Sequence, residues 1–240
     1  MEVALFVTCL VDQVAPETGR AAVRLLEAAG CTVRFPTAQT CCGQPAFNSG
    51  LPDDARRLAR HFLDVFEPYE AVVAPSGSCT AMVRCYYPTL FEGRDAKRAK
   101  EMAAKTWELT QFLTDVVGRP DLGARSAGKV TYHASCHLLR ELGVADAPRR
   151  LLDGAGVEVV DMRDADRCCG FGGTFSLTHP EVSIPMADAK LDQAVATEAG
   201  TLVACDAGCL MHLAGRAQRR RLDLRLRHVA EVVAEGLPRT

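Results

Sequence analysis

The sequence predicts an α/β fold with parallel sheets, built twice along one chain. Short apolar runs of strand length alternate with longer stretches of helical apolar spacing, and this order implies parallel strands covered by helices on both faces. One cysteine pattern occurs twice, offset by 127 residues at its first three positions and by 130 at its last. We therefore expect two tandem-duplicated Rossmann-like units, related by a pseudo-two-fold axis.

The repeat is defined by four cysteines in each half, with Cys-Cys-Gly in the middle of both copies. "AVVAPSGSCTAMV" (71–83) aligns without a gap on "TLVACDAGCLMHL" (201–213). A stretch rich in glycine and proline, 118–129, separates the halves and is typical of a linker. We predict a first domain at residues 1–120 and a second at residues 129–240. The repeated cysteines are Cys9, Cys41, Cys42 and Cys79, then Cys136, Cys168, Cys169 and Cys209.

The elements of both halves follow from apolar spacing and from helix start and stop signals. In the first half we expect strands in 3–8, 31–35 and 71–75, helices over 17–30 and 52–66, a helical stretch from Gly77 to Tyr87, and an amphipathic helix over about 95–117. In the second half we expect strands in 129–134, 157–162 and 201–205, and helices around 146–154, over 180–199 and from 208. The arginine-rich run 216–227 is typical of a solvated helix face and the strand after it, more than of a docking patch.

Composition and charge exclude several classes of protein. The chain has 240 residues, and its formal charge of −2 offers no general attraction to nucleic acid. It contains no apolar run near the roughly 20 residues that span a bilayer. The first residues, "MEVALFVTCL", lack the basic start of a signal peptide, so we expect a cytoplasmic protein. In that reducing compartment, eleven cysteines indicate metal or redox chemistry and not structural disulfides.

Adjacent cysteines can reach one site only if the chain turns at that point. Gly43 and Gly170 follow the two Cys-Cys pairs and allow the left-handed backbone that such a turn needs. "GSC" and "AGC" open predicted helices, whose free N–H groups stabilise thiolates. Four thiolates are the ligand set of a [4Fe–4S] cluster or of a structural zinc ion, and spacing alone does not separate the two.

Three other cysteines and two histidines need separate interpretations. Cys31, Cys85 and Cys205 have no partner in the repeat and are expected to be core or incidental. His133 and His137 flank Cys136 in "HASCH". If a helix begins there, the two imidazoles share a face and could tune the surroundings of a centre or relay protons. A hydrogen-bonded structural role is the open alternative.

These residues resemble the cysteine-rich CCG domain family, in which a Cys, a Cys-Cys-Gly and a Cys-x-x-Cys are spaced by about thirty to thirty-five residues. The family includes the cysteine-rich component of heterodisulfide reductase and the iron–sulfur subunit of glycolate oxidase. The resemblance covers nearly the whole chain twice, through "SGSCTAMV", "YHASCHL", "CCGFGGTFS" and "GCLMHL". The chain lacks the ferredoxin-type Cys-x-x-Cys-x-x-Cys run of the glycolate oxidase subunit, so it looks most like the lactate-utilising branch.

The resemblance implies an iron–sulfur electron-transfer subunit of a complex that oxidises L-lactate to pyruvate. The eight repeated cysteines would hold one or two [4Fe–4S] clusters. A ferredoxin-like iron–sulfur protein and a further subunit would be the partners. Ser76 and Asp206 depart from the family, because they stand where its extra cysteine would be.

Alternatives stay open at this point, and no catalytic residue is indicated. One half could hold zinc, or the chain could be a zinc-stabilised scaffold subunit of such a complex. The remaining alternatives are a thiol/disulfide oxidoreductase like heterodisulfide reductase and a glycolate oxidase iron–sulfur component.

Overall fold

Two four-stranded parallel sheets form the framework of the protein. The structure is a computed structural model that describes residues 1–238. The strand order is β2-β1-β3-β4 in the first sheet and β6-β5-β7-β8 in the second, so the two orders are the same. The strands are β1 Glu2–Leu5, β2 Thr32–Arg34, β3 Val72–Ala74 and β4 Thr106–Glu108, then β5 Lys129–Tyr132, β6 Glu158–Val160, β7 Thr201–Ala204 and β8 Arg225–His228.

Thirteen α-helical segments and three π-helical turns surround the sheets within residues 1–238. The first half contains α1 Cys9–Val14, α2 Pro16–Ala28, α3 Gln44–Asn48, α4 Pro52–Phe66, α5 Gly77–Ala81, α6 Tyr87–Leu90, α7 Gly93–Lys105 and α8 Leu109–Gln111. The second half contains α9 Ala147–Gly154, α10 Phe175–Thr178, α11 Pro180–Val195, α12 Ala207–Arg219 and α13 Val229–Glu235. The π-helical turns are Met82–Tyr86, Phe112–Val116 and His137–Glu141.

The helix α4 shows how the sequence sets these elements. Pro52 occupies its first turn, where no intrahelical N–H is required, and Asp53 and Asp54 complement the positive end of the helix dipole. Its apolar side chains recur at helical spacing and are buried, including Phe62 and Phe66. The repeat equivalent, α11, also begins with proline.

The strand pairing confirms the tandem duplication. Ala4 pairs with Val72, and Thr131 pairs with Leu202, so the equivalent partners differ by 127 and 130 residues as the cysteines do. One hydrophobic core contains buried residues of both halves, from Val3 to Leu237, and α2 packs against α13 across it. The halves are therefore joined about a pseudo-two-fold axis by a shared apolar interior.

The expected helix over 95–117 is wrong, because a fourth strand interrupts it. The helix α7 ends at Lys105, and Thr106 and Trp107 then pair with Val72 and Val73 of β3. The chain turns helical again only after Glu108, whose carboxylate caps α8 by accepting from the N–H of Thr110 at 2.8 Å. The division into domains at residues 120 and 129 stays a prediction.

Candidate metal centres

Each half gathers its four repeated cysteines beyond the carboxyl ends of two strands. Cys9 opens α1 shortly after β1, and its Sγ lies 3.5 Å from that of Cys41. Cys42 is buried in the loop before α3, and Cys79 lies in the first turn of α5 after β3. This is the edge of a parallel sheet at which ligands bind in α/β folds.

The second half repeats this arrangement. Cys136 follows β5, and Cys168 and Cys169 lie in the loop between β6 and α10. Cys209 lies in the first turn of α12, after β7. The structure therefore brings the eight cysteines together as two groups of four, as the repeat predicts; their role as ligands stays a prediction.

The two Cys-Cys-Gly turns are built alike. Gly43 and Gly170 have φ values of 86° and 87°, and their N–H groups donate to the sulfurs of Cys41 and Cys168, each at 3.4 Å. A Cβ at Gly43 would lie 3.3 Å from the carbonyl oxygen of Ala55, and one at Gly170 only 2.6 Å from that of Ser183. Glycine is thus required both by the left-handed backbone and by the close approach of a helix.

The turns make the first cysteine of each pair the thiolate of its group. Hydrogen bonds from Cys42, Cys9 and the N–H of Gly43 lower the pKa of Cys41 to about 3. In contrast, hydrogen bonding to Cys41 and burial raise the pKa values of Cys9 and Cys42. The Cys-Cys-Gly turn therefore favours the thiolate form at Cys41 over its neighbours.

The second group follows the same scheme with one difference. Hydrogen bonds from Cys136 and Cys169 lower the pKa of Cys168 to about 2. The pKa of Cys209 is lowered to about 6, first by hydrogen bonding from Cys169 and further by the adjacent imidazole of His133. The imidazole is a neighbour that the first group does not have.

Ser76 and Asp206, which stand where the resemblance predicts an additional cysteine, cap helices. The Oγ of Ser76 accepts from the N–H of Cys79 at 3.3 Å, and the Oδ1 of Asp206 accepts from the N–H of Gly208 at 3.1 Å. Asp206 also reaches across the pseudo-two-fold axis, where its Oδ2 accepts from the N–H of Ser78 at 2.9 Å. These two residues therefore position the helices that carry Cys79 and Cys209.

The two candidate histidines occupy different surroundings. His133 is completely buried, whereas His137 is half-buried and its Nε2 lies 3.7 Å from Glu141. The helical turn begins at Cys136, so the expectation of a shared helix face for the two imidazoles is wrong. One ring nitrogen of His133 and the sulfurs of Cys169 and Cys209 all lie within 4.8 Å of one another.

One cleft of about 630 Å³ opens between the two groups of cysteines. Cys41 and Cys79 line it from the first half, and Cys136 and Cys168 line it from the second. Arg216 and Arg219 also line it. The arginine-rich run predicts a solvated surface for Arg216 and Arg219, although Arg216 follows Cys209 by seven residues, which places the two on one face of α12.

The three remaining cysteines lie apart from the cleft lining. Cys31 and Cys205 belong to the apolar core that the halves share. Cys85 is half-buried and lies against the carbonyl oxygen of Glu141.

Comparison with known proteins identifies the family. A model of the cysteine-rich domain family known as CCG matches residues 3–84 and 130–214, so it matches once in each half. The chain belongs to the CCG family. It is also 50% identical over 236 residues to lactate utilization protein A of Anoxybacillus flavithermus, covering 97% of this chain and 99% of that protein. Lactate utilization protein A of Exiguobacterium sp. is 47% identical over 240 residues, covering 98% of both chains.

The likeness to solved structures is more distant. A glutamate racemase isoform from Bacillus anthracis has 9% identity and a TM-score of 0.36, over 98% of this chain and 78% of that one. Across residues 1–238, none of the helices has the length and apolar character needed to cross a bilayer.

The donor set of each CCG unit fits an iron–sulfur cluster and also fits zinc. Thiolates bind both, and the N–H groups of Gly43 and Gly170 are the kind of donor that stabilises metal-bound sulfur. A tetrahedral ion with bonds of about 2.3 Å separates its sulfurs by about 3.8 Å. The 3.5 Å between Cys9 and Cys41 suits such an ion as it stands, and the adjoining cleft leaves room for a larger cluster.

Proposed function

We propose that this chain is the iron–sulfur electron-transfer subunit of an oxidoreductase complex that oxidises L-lactate to pyruvate. The observation that carries the proposal is the pair of four-cysteine groups beside one cleft, which all four cysteines of the first group and Cys136 and Cys168 of the second line. Two centres beside one cleft are an arrangement suited to passing electrons through this chain. The relatives are named for lactate utilization, and this name is the basis for the choice of substrate.

The residues of the chain have distinct tasks in this proposal. The eight repeated cysteines hold one [4Fe–4S] cluster in each half, or a single cluster in one of them. Gly43 and Gly170 donate their N–H groups to Cys41 and Cys168 and keep these sulfurs anionic. A bound iron–sulfur cluster supplies one-electron transfer. Ser76 and Asp206 fix the helix starts that carry the last cysteine of each group.

The partners are proposed on the same ground as the substrate, which is the similarity to lactate utilization proteins. A ferredoxin-like iron–sulfur protein and a further subunit would complete the complex, and the compartment would be the cytoplasm. Leu177 and Met211 are exposed apolar side chains at the lining of the cleft, beside the exposed Arg219. An apolar surface with a cationic rim suits a protein partner with acidic groups around its own cluster.

A zinc-stabilised scaffold is the second candidate function. The separation of 3.5 Å between the sulfurs of Cys9 and Cys41 favours it, because a mononuclear tetrahedral ion needs sulfurs this close. In this alternative the metal holds the loops together, and other subunits carry out the redox chemistry.

The first experiment is metal and acid-labile sulfide analysis of the full chain purified without oxygen, together with an absorption spectrum. We expect roughly four or eight irons with matching sulfide, and a brown colour that bleaches on reduction. Zinc without sulfide would contradict the electron-transfer proposal and support the scaffold.

Single substitutions should assign the metal to each half. We expect Cys41→Ser to remove the iron of the first half and Cys168→Ser that of the second, each by roughly half in a protein with two clusters. Cys85→Ser is the matched control, because Cys85 lies outside both groups, and it should retain the full iron content. Equal iron loss in all three variants would show that the substitutions act through folding and not through ligation.

The choice of substrate is tested on the complex isolated with its own partners. Addition of L-lactate should bleach the absorption of the iron–sulfur centres, and glycolate should not. Bleaching by glycolate alone would support the glycolate oxidase alternative.

A further inference from the structure

The duplicated backbone places His133 in the position that Phe6 occupies in the first half. The N–H of Phe6 donates to the carbonyl oxygen of Val73, and the N–H of His133 donates to that of Val203, both at 2.9 Å. Each residue is completely buried and stands three positions before the first cysteine of its group. The two side chains therefore point to a difference between otherwise equivalent sites.

In the first half this position belongs to a dry aromatic cluster. The ring of Phe6 meets Phe62 edge-on, with centroids 4.9 Å apart, and Phe66 with centroids 5.6 Å apart. None of these three side chains carries a metal-binding atom, so the cysteines are the ligand atoms that this half offers. Apolar burial fully accounts for Phe6.

In the second half a buried lysine replaces part of that aromatic cluster. Gly43 approaches Ala55 as Gly170 approaches Ser183, so α4 and α11 correspond with an offset of 128 residues, which pairs Phe62 with Lys190. The Nζ of Lys190 donates to the carbonyl oxygen of Asp164 at 2.6 Å.

Lys190 also fixes the chain beside His133. Its Nζ donates to the carbonyl oxygen of Ala165 at 3.2 Å, and the same oxygen accepts from the N–H of Ala134 at 3.1 Å. The segment that carries His133 is therefore tied to the loop that leads to Cys168.

The burial of apolar surface, which explains Phe6, does not explain why a histidine occupies position 133. Neither of its ring nitrogens has an oxygen or nitrogen partner, although the whole side chain is buried, and the sulfur of Cys209 is the polar group beside the ring. A polar group left unpaired in a protein interior destabilises the fold, and native structures rarely retain one without a role. The groups that face it are the thiols of Cys169 and Cys209, which form a three-atom cluster with one of its nitrogens.

We propose that His133 is a metal ligand, so that the second centre has a mixed thiolate and imidazole ligand set whereas the first has thiolates only. This inference rests on the proposed function, because it requires a metal centre in the second half. A cubane cluster has four ligand positions, so His133 would take the place of one of the four cysteines that the proposed function assigns to the second half. A neutral imidazole there leaves less negative charge on the centre. Histidine ligation raises the reduction potential of an iron–sulfur centre, and a mixed cysteine and histidine set also binds zinc.

The test compares the unlabelled full chain with chain containing ¹⁵N-histidine, both purified without oxygen and carrying their own metal. Pulsed electron paramagnetic resonance of the reduced protein should reveal nitrogen bound to iron, with couplings that change on labelling. If the second centre is zinc, X-ray absorption at the zinc edge should reveal a nitrogen shell at about 2.0–2.1 Å. Either result supports the inference and identifies the metal.

Variants assign the nitrogen to one residue. His133→Phe gives the second half the residue of the first, and it should abolish the nitrogen signal. His133→Cys should abolish it too and should lower the midpoint potential of an iron centre. His137→Gln and His212→Gln should retain the signal, because these imidazoles line the cleft outside the three-atom cluster.

The outcomes separate this inference from the proposed function. Metal-loaded wild-type protein without any nitrogen signal would overturn the role of His133 and leave the proposed function in place, and this result needs no variant. A nitrogen signal that survives His133→Phe but disappears in His137→Gln would also overturn it. Protein without any metal would overturn both.

Discussion

At the scale of single residues, the two Cys-Cys-Gly turns use a backbone that only glycine adopts without strain. Gly170 has φ 87°, and a Cβ there would lie 2.6 Å from the carbonyl oxygen of Ser183. Ser183 in turn donates its Oγ–H to the carbonyl oxygen of Gly170 at 2.7 Å. The turn is thus held against α11 by the carbonyl oxygen of Gly170, and the N–H of the same residue donates to the sulfur of Cys168.

We expect Gly170→Ala to destabilise the protein more than Gly173→Ala. Gly173 is also left-handed, with φ 66°, but a Cβ there meets nothing within 4 Å, so its replacement isolates backbone strain of about 1–2 kcal/mol. Gly170→Ala adds the clash with Ser183 and should cost about 3 kcal/mol or more. Urea unfolding of both variants measures the difference, and equal losses would show that the contact with α11 relaxes without cost.

At the scale of elements, the starts of α5 and α12 meet at the pseudo-two-fold axis. Ser76 and Asp206 are equivalent capping residues, and the Oγ of Ser76 lies 3.3 Å from the Oδ2 of Asp206. The N–H of Gly77 donates to the carbonyl oxygen of Cys205 at 3.2 Å beside them. The two capping residues thus also bind the two halves to each other.

We expect Asp206→Ala to cost more stability than Ser76→Ala. Asp206 accepts from Gly208 in its own half and from Ser78 in the other, and its loss leaves these N–H donors without that acceptor. The expected cost is about 2–3 kcal/mol, against about 1 kcal/mol for Ser76→Ala.

A double-mutant cycle tests the contact itself. The Ser76→Ala, Asp206→Ala pair should be non-additive by at least about 0.5 kcal/mol in urea unfolding. Asp206→Asn is the intermediate variant, because its single oxygen can keep the cap on Gly208 while its NH2 group cannot accept from Ser78, so it should lose only the contact with the other half. Strict additivity would mean that the contact between Ser76 and Asp206 itself contributes nothing to joining the halves.

The sequence predicts those elements whose patterns are long or occur twice. The helix α4 and the two groups of cysteines follow from apolar spacing and from the duplication. The strand β4 does not, because its three residues continue the apolar spacing of α7 and become a strand only through pairing with β3. The offset of 127 residues already aligns Phe6 with His133, but only the structure reveals that the imidazole is buried without a partner.

At the scale of the whole molecule, the last strand of each sheet, β4 or β8, ends in a buried side chain that can ionise. One is an acid and the other is a base. Glu108 ends β4 and caps α8, whereas His228 ends β8 and caps α13 by accepting from the N–H of Ala230 at 3.1 Å. Both side chains are completely buried, and each has one atom without a hydrogen-bond partner. The duplication thus preserves the cap while changing the side chain that provides it, from a carboxyl group to an imidazole.

Burial moves the pKa values of these two groups in opposite directions. It raises the pKa of Glu108 from 4.5 to about 7, with a further contribution from the charge of Asp206. It lowers the pKa of His228 below its usual 6.5. The protonated form of Glu108 and the neutral form of His228 are therefore the forms that the folded protein favours.

The sign of each effect on stability follows from proton linkage. The raised pKa of Glu108 contributes stability that is fully present below about pH 4.5 and is lost as the pH rises through about 7. The lowered pKa of His228 contributes stability that is present above pH 6.5 and is lost as the pH falls. Together they restrict the range of pH in which the paired halves are most stable.

We expect Glu108→Gln to remove the loss of stability on the alkaline side. Glutamine keeps an acceptor for the cap of α8 but has no proton to release, so the variant should gain up to about 3 kcal/mol relative to wild type between pH 5 and pH 8. Urea unfolding of both proteins at the two pH values measures this difference, and all other titrating groups cancel in the comparison. His228→Asn is the matched control at the equivalent cap, and it should alter the difference from wild type only on the acidic side. If Glu108→Gln tracked wild type at both pH values, Glu108 would already be ionised in the folded protein at pH 5, and the buried caps would not set the pH range in which the two halves stay joined.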